Sequence, residues 1–182
     1  MNRPGEPDKV VVLDRDGTLV VDRGYLDDAA GLEFEPGAAE GLRWLYSHGY
    51  RLVVITNQSG VGRGFFAFQR VEEMNARLRH MVEEAGARLE AIYVCPHAPE
   101  AGCGCRKPAL GLLKQAASEL SFDPARAIVI GDKPSDIEFG RRAGAKTILI
   151  AVQPPSLSAG IEPDVVAPNL LVAARAVTET GS

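Results

Sequence analysis

The sequence predicts an α/β protein folded as a three-layer, Rossmann-like parallel sheet, and three observations predict it. Short apolar runs rich in β-branched residues recur at 10–13, 52–55, 91–94, 127–130 and 147–150. Between them lie helix-length stretches with apolar residues at helical spacing. The first run, Val10-Val11-Val12-Leu13, is continuous rather than alternating, as suits a strand covered on both faces. Strands that alternate with helices pair in parallel, and right-handed crossovers then put helices on both sides of the sheet.

Each element follows from local signals. The first strand ends at Asp14-Arg15-Asp16-Gly17-Thr18, and residues 19–36 form an Asp-rich excursion that suits a hairpin or flap but is too short for a cap domain. Ala38 to His48 reads as a helix stopped by Gly49, and Gln69 to Ala85 as a longer one stopped by Gly86. A loop at 95–105 follows the third strand, and helices are expected at 109–120 and 135–143. Beyond Gln153-Pro154-Pro155-Ser156, a short strand at 164–166 and a helix at 169–178 complete what reads as a single domain over 1–182.

Composition narrows the function. No apolar run approaches the roughly 20 residues that a membrane span needs. Residues 1–7 lack the apolar core of a secretory signal, so a cytoplasmic location is expected. A net charge of −4 without a dense Lys/Arg stripe argues against nucleic acid as a partner. No surplus amphipathic helix is evident, and a monomer is expected.

The polar motifs fall where strands end. Ligands of open α/β sheets collect beyond the carboxyl ends of the strands, and Asp14 and Asp16 sit at such an end, although an Asp-x-Asp-Gly can also be a plain turn. Thr56-Asn57-Gln58-Ser59-Gly60 offers hydroxyl, amide and backbone donors for a phosphate, or simply ends the second strand. Arg106-Lys107-Pro108 leads into a helix and could grip an anion, or be a solvated basic pair. Gly131-Asp132-Lys133-Pro134-Ser135-Asp136 follows the fourth strand. Asp136 alone could be an ordinary first-turn helix acid, whereas Asp132 with Asp14 would give two hard oxygen ligands suited to Mg²⁺.

All three cysteines lie between 95 and 105, which is no disulfide framework. With His97 they form C-x-H-x5-C-x-C, so Cys95, His97, Cys103 and Cys105 suit a closed structural Zn²⁺ site that would pin the loop ahead of Arg106 and Lys107. His48 and His80 have no such partners nearby.

DRDGT, TNQSG, RKP and GDKPSD, in this order after successive strands, resemble the four signature motifs of the haloacid dehalogenase superfamily of phosphatases over nearly all of residues 8–150. The resemblance implies the haloacid dehalogenase-like fold without a large cap, and an aspartyl-phosphate mechanism. Asp14 would be the nucleophile and Asp16 the general acid and base, with Thr56 and Lys107 stabilising the phosphoryl group. Mg²⁺ would be held by Asp14, Asp132 and the backbone carbonyl of Asp16.

A zinc loop leading into C-R-K-P resembles the branch that acts on heptose bisphosphates or histidinol phosphate. Asp22-Arg23-Gly24-Tyr25 and Asn57-Gln58-Ser59-Gly60-Val61-Gly62-Arg63-Gly64 match the heptose side better, which makes a small phosphorylated sugar the expected partner. By the same resemblance Asp22, Arg23, Gly24, Tyr25, Thr56, Asn57, Gln58, Ser59, Arg106, Lys107 and Lys133 line the substrate pocket, with Arg106 suited to a second, non-reacting phosphate. Alternatives are a histidinol-phosphate phosphatase, a non-catalytic binder of phosphorylated ligands on the same fold, and, remotely, a zinc-organised nucleic-acid module.

Overall fold

The computed structural model describes residues 9–24, 29–153 and 161–179. Six parallel strands form one sheet: β1 (Val10–Leu13), β2 (Arg51–Asn57), β3 (Leu89–Cys95), β4 (Ile128–Gly131), β5 (Lys146–Ile150) and β6 (Val165–Ala167), in the order β3-β2-β1-β4-β5-β6. The helices are α1 (Ala38–Ser47), α2 (Ser59–Gly62), α3 (Phe68–Glu84), α4 (Gly111–Leu120), α5 (Pro134–Arg142) and α6 (Leu170–Glu179).

Alternation along the strands sorts the core into two layers. Val11 and Leu13 of β1, with Leu52 and Val54 of β2, pack against Leu42 and Leu45 of α1, Met74 and Leu78 of α3 and Leu170 of α6. Val10, Val12, Val53 and Ile55 point the other way, onto Leu112 and Leu113 of α4 and Phe139 of α5. All four β1 side chains are buried, which explains why that run shows no polar alternation.

Successive connections carry the chain from β1 outward to β2 and β3, and then back to the other flank of β1 at β4. This reversal opens a crevice at the carboxyl ends of β1 and β4. Register sharpens it, because Leu13 is level with both Val54 and Ile130, so the segments after these strands start at one height.

Residues 19–36 are not a free loop at their base. Val21 N–H donates to the Glu33 carbonyl and Glu35 N–H to the Leu19 carbonyl, while Leu19 and Val20 are buried in the core. Residues 25–28, and with them the expected pocket residue Tyr25, lie outside the described residues. Among the described residues no large cap interrupts the sheet, and no helix is long and apolar enough to cross a membrane.

Two local expectations change. The second strand runs through Thr56 and Asn57, so both belong to β2 rather than to the loop after it. The helix expected from Ala109 begins at Gly111, leaving Pro108 outside its first turn. Gly111 N–H is bonded to the Gly104 carbonyl and the Lys107 backbone to the Asn57 side chain, so no helical turn can form there.

Candidate active site

Asp14 stands at the end of β1, its backbone N–H bonded to the Ile130 carbonyl of β4. Gly17, at φ +84°, turns the chain back; a Cβ there would lie 2.3 Å from Asp132 Oδ2. Only glycine permits both that conformation and that approach. Thr18 Oγ1, 3.3 Å from Asp132 Oδ1, further holds the β4 carboxylate against the β1 turn.

Lys107 crosses the crevice as its buried counter-charge. Its Nζ lies 2.7 Å from Asp14 Oδ1 and 2.7 Å from Asp136 Oδ1. Burial opposes the charge on Lys107, but Asp136 and Asp14 outweigh it and push its pKa up. Asp136 in turn accepts from the Lys133 N–H at the start of α5, and a Cβ on Gly131 would meet its carboxyl at 2.4 Å. This buried carboxylate does more than cap a helix, as its spacing of four from Asp132 in G-D-x-x-x-D hinted.

Asp14, Asp132 and Asp136 bring one carboxylate oxygen each within 4.8 Å of one another. Burial raises the Asp132 pKa to about 7; Lys133 opposes the rise and the charges of Asp14 and Asp136 add to it. One buried lysine does not balance three clustered acids, and such an excess of hard oxygen donors fits a divalent cation.

Asp16 faces the same cleft but is held differently. Its Oδ2 accepts from Gln58 Nε2 at 2.7 Å and from Arg15 Nε at 3.1 Å, and its Oδ1 accepts from Arg15 Nη2 at 3.1 Å. Arg15 is almost wholly buried, 2% exposed, and its Nη1 reaches Asn75 Oδ1 of α3 at 3.1 Å. Nothing in the sequence marks Arg15, because an arginine between two aspartates carries no signal of burial. Gln58 Nε2 also donates to Thr56 Oγ1 at 2.8 Å, tying the end of β2 to the acid.

The cleft, about 350 Å³, is lined by Asp14, Asp16, Thr56, Gln58, Arg106 and Lys107, among others. Asp22, Gly24, Asn57, Ser59 and Lys133 also reach it, as do three residues not foreseen, Gly60, Ser135 and Asp136. Asp22 Oδ2 lies 3.0 Å from Lys133 Nζ, joining the segment after β1 to the start of α5 across the cleft. Burial resists ionisation of Asp22, yet the Gly24 N–H and Lys133 outweigh it and hold its pKa down. Arg23 does not line the cleft; it pairs with Glu33 at 2.7 Å, both side chains at least half exposed.

Beside the cleft, Cys95, His97, Cys103 and Cys105 converge. Cys105 Sγ lies 3.1 Å from both Cys95 Sγ and His97 Nδ1 and 3.4 Å from Cys103 Sγ, and Cys95 to Cys103 is 3.6 Å. Tetrahedral thiolates at the usual Zn–S distance would be about 3.8 Å apart, so the four donors already stand near a metal's edge lengths. The cysteines are free thiols. Burial pushes Cys95 up to about 12; Cys103, despite burial, is brought down to about 6 by hydrogen bonds from its neighbours. The loop is tied to the cleft: Gln58 N–H donates to the Cys95 carbonyl, and a Cβ on Gly62 would lie 2.3 Å from Ala98 N.

An aspartate at a strand end, a buried lysine and clustered carboxylates at the switch point of a Rossmann-like sheet suit a phosphoryl-transfer hydrolase, and the chain belongs to the haloacid dehalogenase superfamily of phosphatases. A HAD-hydrolase-like family model matches residues 104–173. The D-glycero-beta-D-manno-heptose-1,7-bisphosphate 7-phosphatase of Helicobacter pylori strain J99 is 41% identical over 148 residues, 81% of this chain and 85% of that protein. The enzyme of the same name from Haemophilus ducreyi is 40% identical over 146 residues, 76% of this chain and 80% of that one. Among solved structures, D,D-heptose 1,7-bisphosphate phosphatase from B. bronchiseptica, complexed with magnesium and phosphate, superposes with a TM-score of 0.84 at 26% identity, covering 94% of this chain and 99% of that chain.

Proposed function

We propose that this phosphatase removes the C7 phosphate of D-glycero-D-manno-heptose 1,7-bisphosphate through an aspartyl-phosphate on Asp14. The observation that carries the reading is one open cleft holding Asp14 and Asp16 together with three cations, Lys107 at the bottom and Arg106 and Lys133 nearer the mouth. Such a distribution suits a substrate with a reacting and a non-reacting phosphate. The names of the relatives support the same substrate.

In the first step an Asp14 carboxylate oxygen bonds to phosphorus as the bond from phosphorus to the sugar oxygen breaks, and Asp16 gives that leaving oxygen its proton. In the second, water attacks the phosphoryl group, Asp16 takes the proton, and the bond from Asp14 to phosphorus breaks to release inorganic phosphate. Lys107 and Thr56 hold the equatorial oxygens where charge is spread in the transition state. Asp14, Asp132 and the Asp16 backbone carbonyl would hold magnesium, which when bound would supply positive charge against the repulsion between carboxylate and phosphate. Arg106, half-buried and reaching the His97 carbonyl at 3.5 Å, holds the distal phosphate.

The test compares kcat/KM for both anomers of the heptose bisphosphate with histidinol phosphate. At least about 100-fold preference for a bisphosphate is expected; preference for histidinol phosphate would overturn the substrate and keep the chemistry.

Zinc in the Cys95, His97, Cys103 and Cys105 set would serve structure, since four protein donors leave no open position. Cys105→Ser is expected to abolish stoichiometric zinc in metal analysis and to lower Tm. A fully loaded, equally stable variant would refute the assignment.

Metal-free protein is also expected to lose stability as pH rises. Burial lifts the Asp132 pKa to about 7, above the ordinary carboxylate value of 3.8, so between these values the native state holds a proton that the unfolded chain has released. That contribution is present at low pH and is lost as pH climbs toward 7. Melting in magnesium-free buffer at pH 5.5 and 8 should show the decline, and saturating magnesium should flatten it.

A further inference from the structure

Asn57 was expected to touch substrate, but its amide is already engaged. Its Oδ1 accepts from the Lys107 backbone N–H at 3.0 Å, and its Nδ2 donates to the Lys107 carbonyl at 3.2 Å. The two contacts are complementary, which fixes the orientation of the amide, since an N–H can only donate and a carbonyl only accept. In effect the side chain at the end of β2 acts as an extra rung of sheet for a segment that is neither strand nor helix.

We propose that Asn57 is a positioning residue for Lys107: a two-point clamp on the backbone that holds the ammonium between Asp14 and Asp136. The segment needs one. Lys107 is 5% exposed, so its backbone N–H and carbonyl must find partners within the protein. The neighbouring backbone bonds, Ala109 N–H to the Arg106 carbonyl and Gly111 N–H to the Gly104 carbonyl, fasten the residues on either side and leave Lys107 to Asn57. The side-chain end is equally constrained, with Nζ 2.7 Å from each of two carboxylates, so a shift of the backbone moves the cation off the nucleophile. The residues flanking Asn57 do different work: Thr56 and Gln58 are joined to each other, and Gln58 to Asp16. Within Thr56-Asn57-Gln58, then, the outer two side chains serve the phosphoryl group and the acid, and the middle one serves the lysine on the next loop.

The proposal rests on the phosphatase reading for its kinetic arm only. The protein is assayed with its metals bound, using an aryl phosphoester so that sugar specificity does not enter, and hydrogen exchange at the Lys107 amide is followed in parallel. In Asn57→Ala, kcat is expected to fall about 30- to 100-fold, with KM and the inhibition constant of inorganic phosphate changed less than threefold. The Lys107 amide should exchange at least about 100-fold faster, while core amides of β1 keep their protection. Asn57→Asp, of the same size, keeps the acceptor for the N–H but faces the Lys107 carbonyl with a second acceptor, and its kcat is expected between wild type and Asn57→Ala. It decides the matter should the alanine variant fold poorly. A rise in KM and in the phosphate inhibition constant at unchanged kcat would make Asn57 a substrate ligand and overturn the clamp, as would unaltered exchange at Lys107. Absence of wild-type turnover would count against the aspartyl-phosphate reading, and the exchange measurement then decides the clamp alone.

Discussion

Asp14→Asn is expected to lower kcat by about 10⁴-fold or more, because the amide cannot form the acyl phosphate. Stability should move the other way. Asp14 shares its corner with Asp132 and Asp136, their oxygens within 4.8 Å, and Lys107 provides one buried positive charge between Asp14 and Asp136. Removing one negative charge relieves repulsion that the folded chain otherwise sustains for catalysis, and Lys107 keeps Asp136 as its partner. In magnesium-free buffer the variant should melt at or above the wild-type temperature, and the rise in Tm on adding magnesium should shrink. Turnover within tenfold of wild type, or a marked fall in metal-free Tm, would contradict this account of the site.

Lys107→Met should be damaging on both counts. Its side chain is 4% exposed and its two carboxylate partners 7% and 2%. Taking away the shared cation leaves buried negative charge unpaired, at a cost of about 3–5 kcal/mol. For a chain of this length that corresponds to roughly 6–20 °C in Tm. Acid should restore part of it: burial and like charge already raise the Asp136 pKa, and without lysine a proton becomes the available counter-charge, so the deficit narrows as pH falls. Magnesium should narrow it too. Turnover, by contrast, should stay at least about 10³-fold down at any pH, because neither a proton nor the metal replaces a donor aimed at the equatorial oxygens. Calorimetry at pH 5.5 and 8, alongside single-turnover kinetics, separates the two effects. A deficit independent of pH would show that Lys107 contributes packing rather than charge.

The two variants differ in sign on stability though both residues belong to one ion-paired group. The group is over-supplied with acid and short of base, a balance that suits a cation and a phosphate more than it suits the folded state alone.

Much of this protein was legible in order along the chain. Continuous β-branched runs such as Val10 to Leu13 mark strands buried on both faces, since a half-wet sheet would alternate. Motifs that follow successive strands must share one edge of a parallel sheet, because every strand ends on the same side. The Cys/His cluster was equally plain, since all four side chains fall within eleven residues and a short loop can bring them together without help from the rest of the fold.

What only the tertiary structure decided are partnerships across long separations, where local spacing carries no information. Asp136 resembles an ordinary helix-start acid until Lys107 arrives from the other side of β1. Arg15 is a polar residue in a turn until Asn75 of α3 and Asp16 close around it in the interior. Asn57 is another strand-end amide until the loop after β3 lays the Lys107 backbone against it, 50 residues later in the chain. Residue types along the chain determine which chemistry is possible at the edge of the sheet. The packing of separate elements determines which donor meets which acceptor, because a buried polar group takes the partner that the fold brings within reach, whatever their separation in sequence.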